Sequence, residues 1–348
     1  MYFDHSERLR KRAGYNRSIG GILMPLTGQP ITGLLAMEDA VGAVQYIATG
    51  TSTIVKQAGG LWESVVSGLT GLVSDLYTIA VNRGRGYLVN GKDVNLKTNG
   101  TVFPRVGIIA PTVAPVLTAG GAGLLTGAYT ARVTFFNSVF TVESSPSPIA
   151  IPILLSNQSV NITNLPVSSD PQVDRKRIYL TGSGGTVHLF AIEVANSATS
   201  VNYNLPDTNL GAAVELLAND PPPLSKIIHF VDDRAYYITP DSNRVWFSTK
   251  GKPDSVSLTD FRDLQADPDD FITGVSELYG HPIIFMKRAI WTGHGSDRFS
   301  FGFSKTVSEV GSISHNGILK VPGTNRLMFM SENGKFYFFD GTQPIYAS

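Results

Sequence analysis

The sequence contains no cysteine. Disulfide cross-links and thiolate chemistry are therefore excluded. Charge is also sparse, because charged residues make up 16% of the chain, whereas soluble domains usually carry about a quarter. The 28 basic and 28 acidic side chains cancel, so no overall electrostatic field would attract nucleic acid or a membrane surface.

Long apolar runs are missing as well. The longest uncharged stretch in the middle of the chain, 106–131, is interrupted by Pro111, Pro115 and several glycines, and it is too broken to cross a bilayer. Near the start, Asp4 and Glu7 precede the basic residues, and no apolar segment of the kind found in signal peptides follows them. We therefore expect no membrane-spanning segment and no signal peptide.

The residues that are abundant favour β-structure. Glycine (35) and proline (20) are plentiful, and valine, isoleucine, threonine, phenylalanine and tyrosine outweigh the strong helix formers. The composition predicts an all-β protein, and its 348 residues are enough for two or three domains.

A hairpin pattern recurs along the chain. In 281–293 (HPIIFMKRAIWTG), two apolar strands flank Lys287 and Arg288, which predicts an exposed turn at the two cations. Segments 44–57, 77–94, 234–248 and 326–339 repeat the pattern, the last with an Asn-Gly turn. Three aromatic residues in second hairpin strands lie about 45 residues apart, the repeat of a four-stranded propeller blade. We expect these three to be buried propeller core residues: Trp246, Trp291 and Tyr337.

A second domain interrupts this repeat. Proline-rich borders stand at 111–115 (PTVAP) and 221–223 (PPP), and about seven short alternating strands lie between them, which predicts a β-sandwich. The predicted organisation is an N-terminal basic arm (1–30), a first part of the propeller (31–110), an inserted β-sandwich (111–222) and a second part of the propeller (223–348).

Several phrases, in this order and spacing, carry a resemblance to a known family. AYTARVTFF, ESSPSP, RKRIYLTGSGG and SVNYNLPDTNLG fall in the insert, and GGLWESVVSGL, HFVDDRAYYITPDSNRVWFST and SENGKFYFFDG fall in the flanking parts. From about residue 30 onward the chain resembles the tail nozzle (tail tubular) proteins of short-tailed, podovirus-type phages. The resemblance implies a β-propeller with an inserted fibronectin-III-like β-sandwich.

The same resemblance implies a function. It suggests a structural virion protein of the phage tail that is not an enzyme and needs no cofactor. The subunits would form a homo-oligomeric ring, expected to be a hexamer, below the portal-adaptor proteins and in contact with tail fibres or spikes. Viral DNA would leave through the ring without sequence-specific binding, and a neutral chain is compatible with such a channel.

A competing hypothesis is a β-propeller that binds or cleaves carbohydrate during receptor recognition. It predicts a concave cluster of exposed aromatic side chains and carboxylates. The six histidines show no metal-ligand spacing, and we identify no catalytic, cofactor or metal site. Asp263, Asp267, Asp269 and Asp270 could offer oxygens to calcium, but the run lacks the EF-hand spacing, so we interpret 260–271 as a solvated loop between blades and leave calcium open.

The N-terminal arm has the strongest local charge bias. Its cations are Arg8, Arg10, Lys11, Arg12 and Arg17. We expect the arm to dock on an acidic neighbour or on the adjacent subunit. The alternative is contact with DNA phosphates, which would not read the base sequence.

Overall fold

The computed structural model describes Leu26 and residues 29–38, 42–58, 61–216, 218–265, 267–295, 299–306 and 308–347, together with four two-residue strands near the start. These four strands are β1 (Tyr2–Phe3), β2 (Leu9–Arg10), β3 (Ser18–Ile19) and β4 (Ile22–Leu23). Strand β1 pairs with β2, and β3 pairs with β4, both antiparallel.

The first two propeller blades precede the insert. Blade 1 is an antiparallel sheet of four strands in chain order: β5 (Gly33–Glu38), β6 (Val44–Thr49), β7 (Thr53–Ala58) and β8 (Leu61–Ser67). Blade 2 has three strands: β9 (Thr78–Asn82), β10 (Arg85–Val89) and β11 (Leu96–Thr98). The turn between β9 and β10 is at Arg83-Gly84, inside the predicted hairpin segment 77–94. Its two residues have φ angles of 49° and 70°, which suit a tight two-residue hairpin.

The insert is a sandwich of two antiparallel sheets. Its seven strands are β12 (Val116–Tyr129), β13 (Ala131–Asn137), β14 (Val142–Glu143), β15 (Ile153–Thr163), β16 (Arg175–Thr181), β17 (His188–Ala195) and β18 (Val201–Tyr203). One sheet has the order β12-β15-β18 and the other β14-β13-β16-β17. Val133, Val160, Ile162 and Ile178 belong to their shared core. The fibronectin-III assignment and the domain limits stay predictions.

Three four-stranded blades follow the sandwich. Blade 3 contains β19 (Ile227–Val231), β20 (Arg234–Ile238), β21 (Arg244–Phe247) and β22 (Phe261–Asp263). Blade 4 contains β23 (Ile272–Leu278), β24 (His281–Met286), β25 (Ile290–His294) and β26 (Gly302–Lys305). Blade 5 contains β27 (Leu319–Lys320), β28 (Leu327–Met330), β29 (Phe336–Phe339) and β30 (Pro344–Tyr346). Their hairpins form at the predicted segments.

The fold is therefore an all-β propeller. The first strands of neighbouring blades adjoin, because β9 contacts both β5 and β19, and β19 contacts β23. Most of the propeller core lies between blades: Tyr87 and Ile228 join blades 2 and 3, and Phe285 and Phe329 join blades 4 and 5. Blades 2 and 3 are thus neighbours although the sandwich separates them in the chain.

Short 3-10 turns are the only helical structure in the described part of the chain, at Asp207–Asn209 and His315–Gly317. Within these described residues, no helix has the length and apolar composition that crossing a membrane requires.

Candidate functional site at the propeller–sandwich cleft

A cleft of about 790 Å³ separates blades 2 and 3 from the sandwich. The propeller wall includes charged and aromatic side chains of β10 and of the loop after β21, and the sandwich wall includes side chains of its four-stranded sheet. The lining residues used below are Arg85, Tyr87, Lys252 and Asp254 on the propeller side, and Phe136, Phe140, Glu143, Arg177 and Tyr179 on the sandwich side.

Phe140 of the sandwich reaches across to two propeller cations. The Lys97 Nζ atom lies 4.6 Å from the centroid of its ring, and the Arg85 Cζ atom lies 5.1 Å from it. Arg85 also donates a hydrogen bond of 3.0 Å to the Phe140 carbonyl oxygen. A cation near an aromatic ring is attracted most strongly where water is excluded, and both Phe140 and Lys97 are buried. This arrangement, the Phe140 clamp, ties the sandwich to the propeller.

A buried ion pair adjoins the Phe140 clamp, because Lys97 belongs to both. The Lys97 Nζ and Asp254 Oδ1 atoms are 2.5 Å apart, and the side chains are 0% and 3% exposed. Asp254 Oδ1 also accepts the Gly107 N–H at 3.0 Å. Burial lowers the pKa of Lys97, while the carboxylate of Asp254 opposes that shift. Loss of either partner would leave an uncompensated buried charge.

Gly107 lies where the chain leaves the propeller for the sandwich. Its φ angle is +74°, and a Cβ atom there would be 2.5 Å from the Cα of Pro221, on the segment that returns. The two connecting segments thus touch, and only glycine allows that approach without a shift of the backbone.

The sandwich wall of the cleft has its own polar network. Arg177 pairs with Glu143 at 2.9 Å and with Glu193 at 3.0 Å, and its guanidinium lies 3.5 Å from the Phe136 ring centroid. The Tyr179 hydroxyl donates to Glu143 Oε1 at 2.5 Å. Burial, followed by the charge of Glu143, raises the pKa of Tyr179. The Thr134 hydroxyl also donates to Glu143 Oε1 at 2.6 Å, so Glu143 has three partners and links neighbouring strands of this sheet.

The three predicted core aromatics differ in burial. Trp291 is buried, within a cluster that includes Ile284 and Phe247. Trp246 and Tyr337 are half-buried and pack against buried core clusters, so the expectation of buried core residues holds for them only in part. Each lies on the third strand of its blade, next to a short outer strand that covers it incompletely: Trp246 packs on Phe261 with ring centroids 4.9 Å apart.

Trp246 borders a second, more open depression of about 590 Å³. Phe271, Asp241 and the Arg244–Asp263 pair also line it. Arg244 donates to both carboxylate oxygens of Asp263, at 2.6 and 2.9 Å. The depression therefore combines aromatic surface with carboxylates and a cation.

The acidic run 260–271 is not simply a solvated loop, and that interpretation is wrong in part. Residues Phe261–Asp263 form the outer strand of blade 3. Asp270 is buried, and its carboxylate accepts the backbone N–H groups of Lys287 and Arg288 at 2.8 and 3.2 Å. It therefore caps the turn between β24 and β25, where both cationic side chains are exposed as predicted. Sequence spacing missed this role because the carboxylate is 17 residues from Lys287 and 18 from Arg288.

Calcium binding by segment 260–271 stays an open hypothesis. Among the residues that the structure describes, no three histidine, aspartate or glutamate side chains come together as a metal site would require.

Two histidines that are distant in the chain come into contact where blades 3, 4 and 5 adjoin. The rings of His229 on β19 and His315 before β27 have centroids 6.1 Å apart. The Val275 N–H of β23 donates to His315 Nδ1 at 3.2 Å. Burial lowers the pKa of both histidines, that of His315 to about 4. They are 86 positions apart in the chain, and no local motif could have indicated the contact.

The predicted docking arm lies almost entirely outside the described residues. Arg8, Lys11, Arg12 and Arg17 fall there, and for Arg10 only its backbone place in β2 is described. Its role as a docking arm stays a prediction.

No protein-family model matches the sequence, and no curated protein does either. Solved structures give only distant similarity. YCF48 from Cyanidioschyzon merolae is 11% identical, with 92% of this chain and 87% of that chain covered and a TM-score of 0.31. A putative 6-phosphogluconolactonase from Bacteroides uniformis is 11% identical (90% and 85% covered, TM-score 0.33), and a periplasmic gluconolactonase from Pseudomonas aeruginosa is 13% identical (90% and 94%, TM-score 0.29). Similarity at such low sequence identities and TM-scores says nothing about the activity of this chain.

Proposed function

We propose that the chain is a structural subunit of a phage tail nozzle, a ring attached below the portal-adaptor proteins that forms the channel for DNA ejection. The proposal starts from the resemblance of successive sequence phrases to that family. The described architecture supports it, because a sandwich joins two neighbouring blades of a propeller, as the resemblance implies.

The Phe140 clamp is the structural observation that best supports the proposal. Domains within one chain usually move relative to each other unless their interface is strong. Here an aromatic ring is held against two cations, one of which is paired with a buried carboxylate. Such a junction makes propeller and sandwich one stiff block, which suits a subunit that must keep a channel open under load.

The chain's charge fits passive transport of DNA. Equal numbers of basic and acidic residues limit the counterion-releasing phosphate contacts that would retain DNA in the channel. In this proposal the ring has six subunits, meets tail fibres or spikes, and lets DNA pass without reading its sequence.

Electron microscopy of the purified chain tests the proposal. We expect rings with a central opening wide enough for duplex DNA and a single rotational symmetry. Phe140→Ala should leave the subunits folded but make the sandwich positions variable in class averages, and Val139→Ala, at an exposed neighbour in the same turn, should not. A protein that stays monomeric at all concentrations, or forms rings with no opening, would refute the channel.

A carbohydrate-binding propeller is the second candidate, because of the depression beside Trp246. Half-buried aromatic rings next to carboxylates suit sugar binding, since sugars stack on rings while their hydroxyls bond to polar groups. Glycan-array binding by the wild type, lost in Trp246→Ala but kept in Tyr337→Ala, would support this function. Absence of binding to any glycan would remove it.

A further inference from the structure

The three-stranded sheet of the sandwich carries no charged residue. Its strands β12, β15 and β18 contain 14, 11 and 3 residues: VLTAGGAGLLTGAY, ILLSNQSVNIT and VNY. At the chain's 16% charge, 28 residues would be expected to carry four or five charged side chains. The opposite sheet does carry them, including Arg132, Glu143, Arg177 and Glu193.

The two sheets also face different surroundings. Side chains of the four-stranded sheet line the cleft toward the propeller. The three-stranded sheet lies on the other side of the sandwich core, so its outer face points away from the propeller. Leu154 on this face is 78% exposed, and Ile151, just before β15, is 86% exposed. The same face also carries uncharged polar side chains such as Thr118 and Ser156. An exposed surface without charge shares the depletion of charged residues found at the centre of protein interfaces.

Strand β12 adds an open hydrogen-bonding edge. Other sandwich edges are short or covered: β18 has three residues, and the segment around Ala212 bonds to β17, with Phe190 donating to the Ala212 carbonyl at 2.8 Å. Strand β12 is 14 residues long and forms the outer edge of its sheet. Within the described sandwich, the Leu124 N–H of this strand donates to Asn204 Oδ1 at 2.8 Å, and the Gly184 N–H donates to the Ala128 carbonyl oxygen at 2.9 Å. Long edges are normally protected by charge, proline or a bulge against pairing with another chain. Strand β12 has bulges but neither charge nor proline.

We propose that this charge-free sheet, with its open β12 edge, is the surface on which a second copy of the chain docks. The inference rests on the proposed function, since it names the contact that would join neighbouring ring subunits. DNA as occupant would require cations for its phosphates, and the sheet has none. A second copy has no net charge, so it approaches an uncharged surface without electrostatic penalty.

The dimensions agree with a contact of this kind. At about 3.4 Å per residue and about 4.8 Å between strands, 28 strand residues cover roughly 450 Å² before side-chain relief is counted. A standard interface buries about 800 Å² on each partner. The sheet therefore supplies the centre of such an interface, and Ile151 with the β12 edge extends it.

The test places two positive charges on the sheet. Thr118 pairs with Asn161 on β15 and Leu154 pairs with Ala128 on β12, and both Thr118 and Leu154 are exposed, so lysine at either position can reach water in the isolated subunit. The double variant T118K/L154K is compared with wild type and with Leu258→Lys, a matched control at a 73% exposed leucine of the propeller. Sedimentation velocity and negative-stain microscopy give the subunit number, and circular dichroism with thermal unfolding checks folding.

We expect wild type and Leu258→Lys to form the same ring, and the double variant to remain a monomer with an unchanged melting temperature. A ring that survives in the double variant overturns the inference but leaves the proposed nozzle intact. Equal dissociation by Leu258→Lys also overturns it, because the effect would not be specific to the sheet. If the wild type is a monomer, there is no ring, and both the proposed nozzle and the proposed docking surface are wrong. If T118K/L154K fails to fold, the smaller change Leu154→Asn is scored by the same criteria.

Discussion

Removing one partner of the buried Lys97–Asp254 pair should strongly destabilise the fold, because the remaining group would be buried without its counter-ion. In Asp254→Asn, Lys97 stays at 0% exposure and loses its counter-ion. Breaking a buried pair in this way costs about 3–5 kcal/mol, a large part of the about 5–15 kcal/mol that stabilises a typical domain. The double change Lys97→Met with Asp254→Asn removes both charges, so it should cost much less than the sum of the two single changes.

Urea unfolding followed by tryptophan fluorescence measures these costs. The matched control is Asp263→Asn, which breaks the Arg244–Asp263 pair at the surface, where side chains are 38% and 57% exposed. That change should cost at most about 1 kcal/mol. The reasoning fails if Asp254→Asn costs as little as the control, or if the double variant is as unstable as the two single variants combined.

Two further predictions concern turns and pH. Replacing Lys287-Arg288 by Asn-Gly should change the free energy of unfolding by no more than about 0.5 kcal/mol. Asp270→Ala should lower that free energy by about 1–3 kcal/mol, because two backbone N–H groups of the turn lose their acceptor. Urea unfolding of both variants shows whether the carboxylate or the cationic side chains stabilise the turn. The folded-state pKa of His315 is lowered to about 4, so the unfolded state, with a pKa of about 6.5, binds the proton more readily and stability should fall as pH drops from about 6.5 toward 4. Urea midpoints between pH 7 and pH 5 should fall less steeply in His315→Gln than in wild type, with His281→Gln, at an exposed site, as the control substitution. Equal slopes in His315→Gln and wild type would contradict the assignment.

Local chemistry explains why the hairpins could be predicted. The turn at Arg83-Gly84 needs two residues with positive φ angles, and Gly334 supplies one in the hairpin of blade 5. These signals act over a few residues, and the alternating apolar residues on each side complete the pattern. The five hairpins followed from such local signals and their spacing, while the domain limits stay predictions.

Burial and partnership depend on distant parts of the chain, and there prediction failed. Whether Trp246 is covered depends on the three-residue strand β22, and whether Asp270 is solvated depends on the backbone of Lys287. Strand β12 was not predicted, because its glycines favour loops in isolation; it forms by pairing with β15 through several bulges. Partial exposure of Trp246 is also what keeps the carbohydrate hypothesis open.

The distribution of charge over the sandwich links its fold to the proposed role. Charged and aromatic side chains concentrate on the sheet that faces the propeller, where Phe140 and Arg177 make specific contacts. Charge is absent from the sheet that faces away. If the sandwich only capped the propeller, its outer sheet would be free to accept lysines and glutamates, which protect surfaces and edges from association. Their absence over the whole sheet supports the proposal that a second copy of the chain covers this surface, and the lysine substitutions at Thr118 and Leu154 test that proposal.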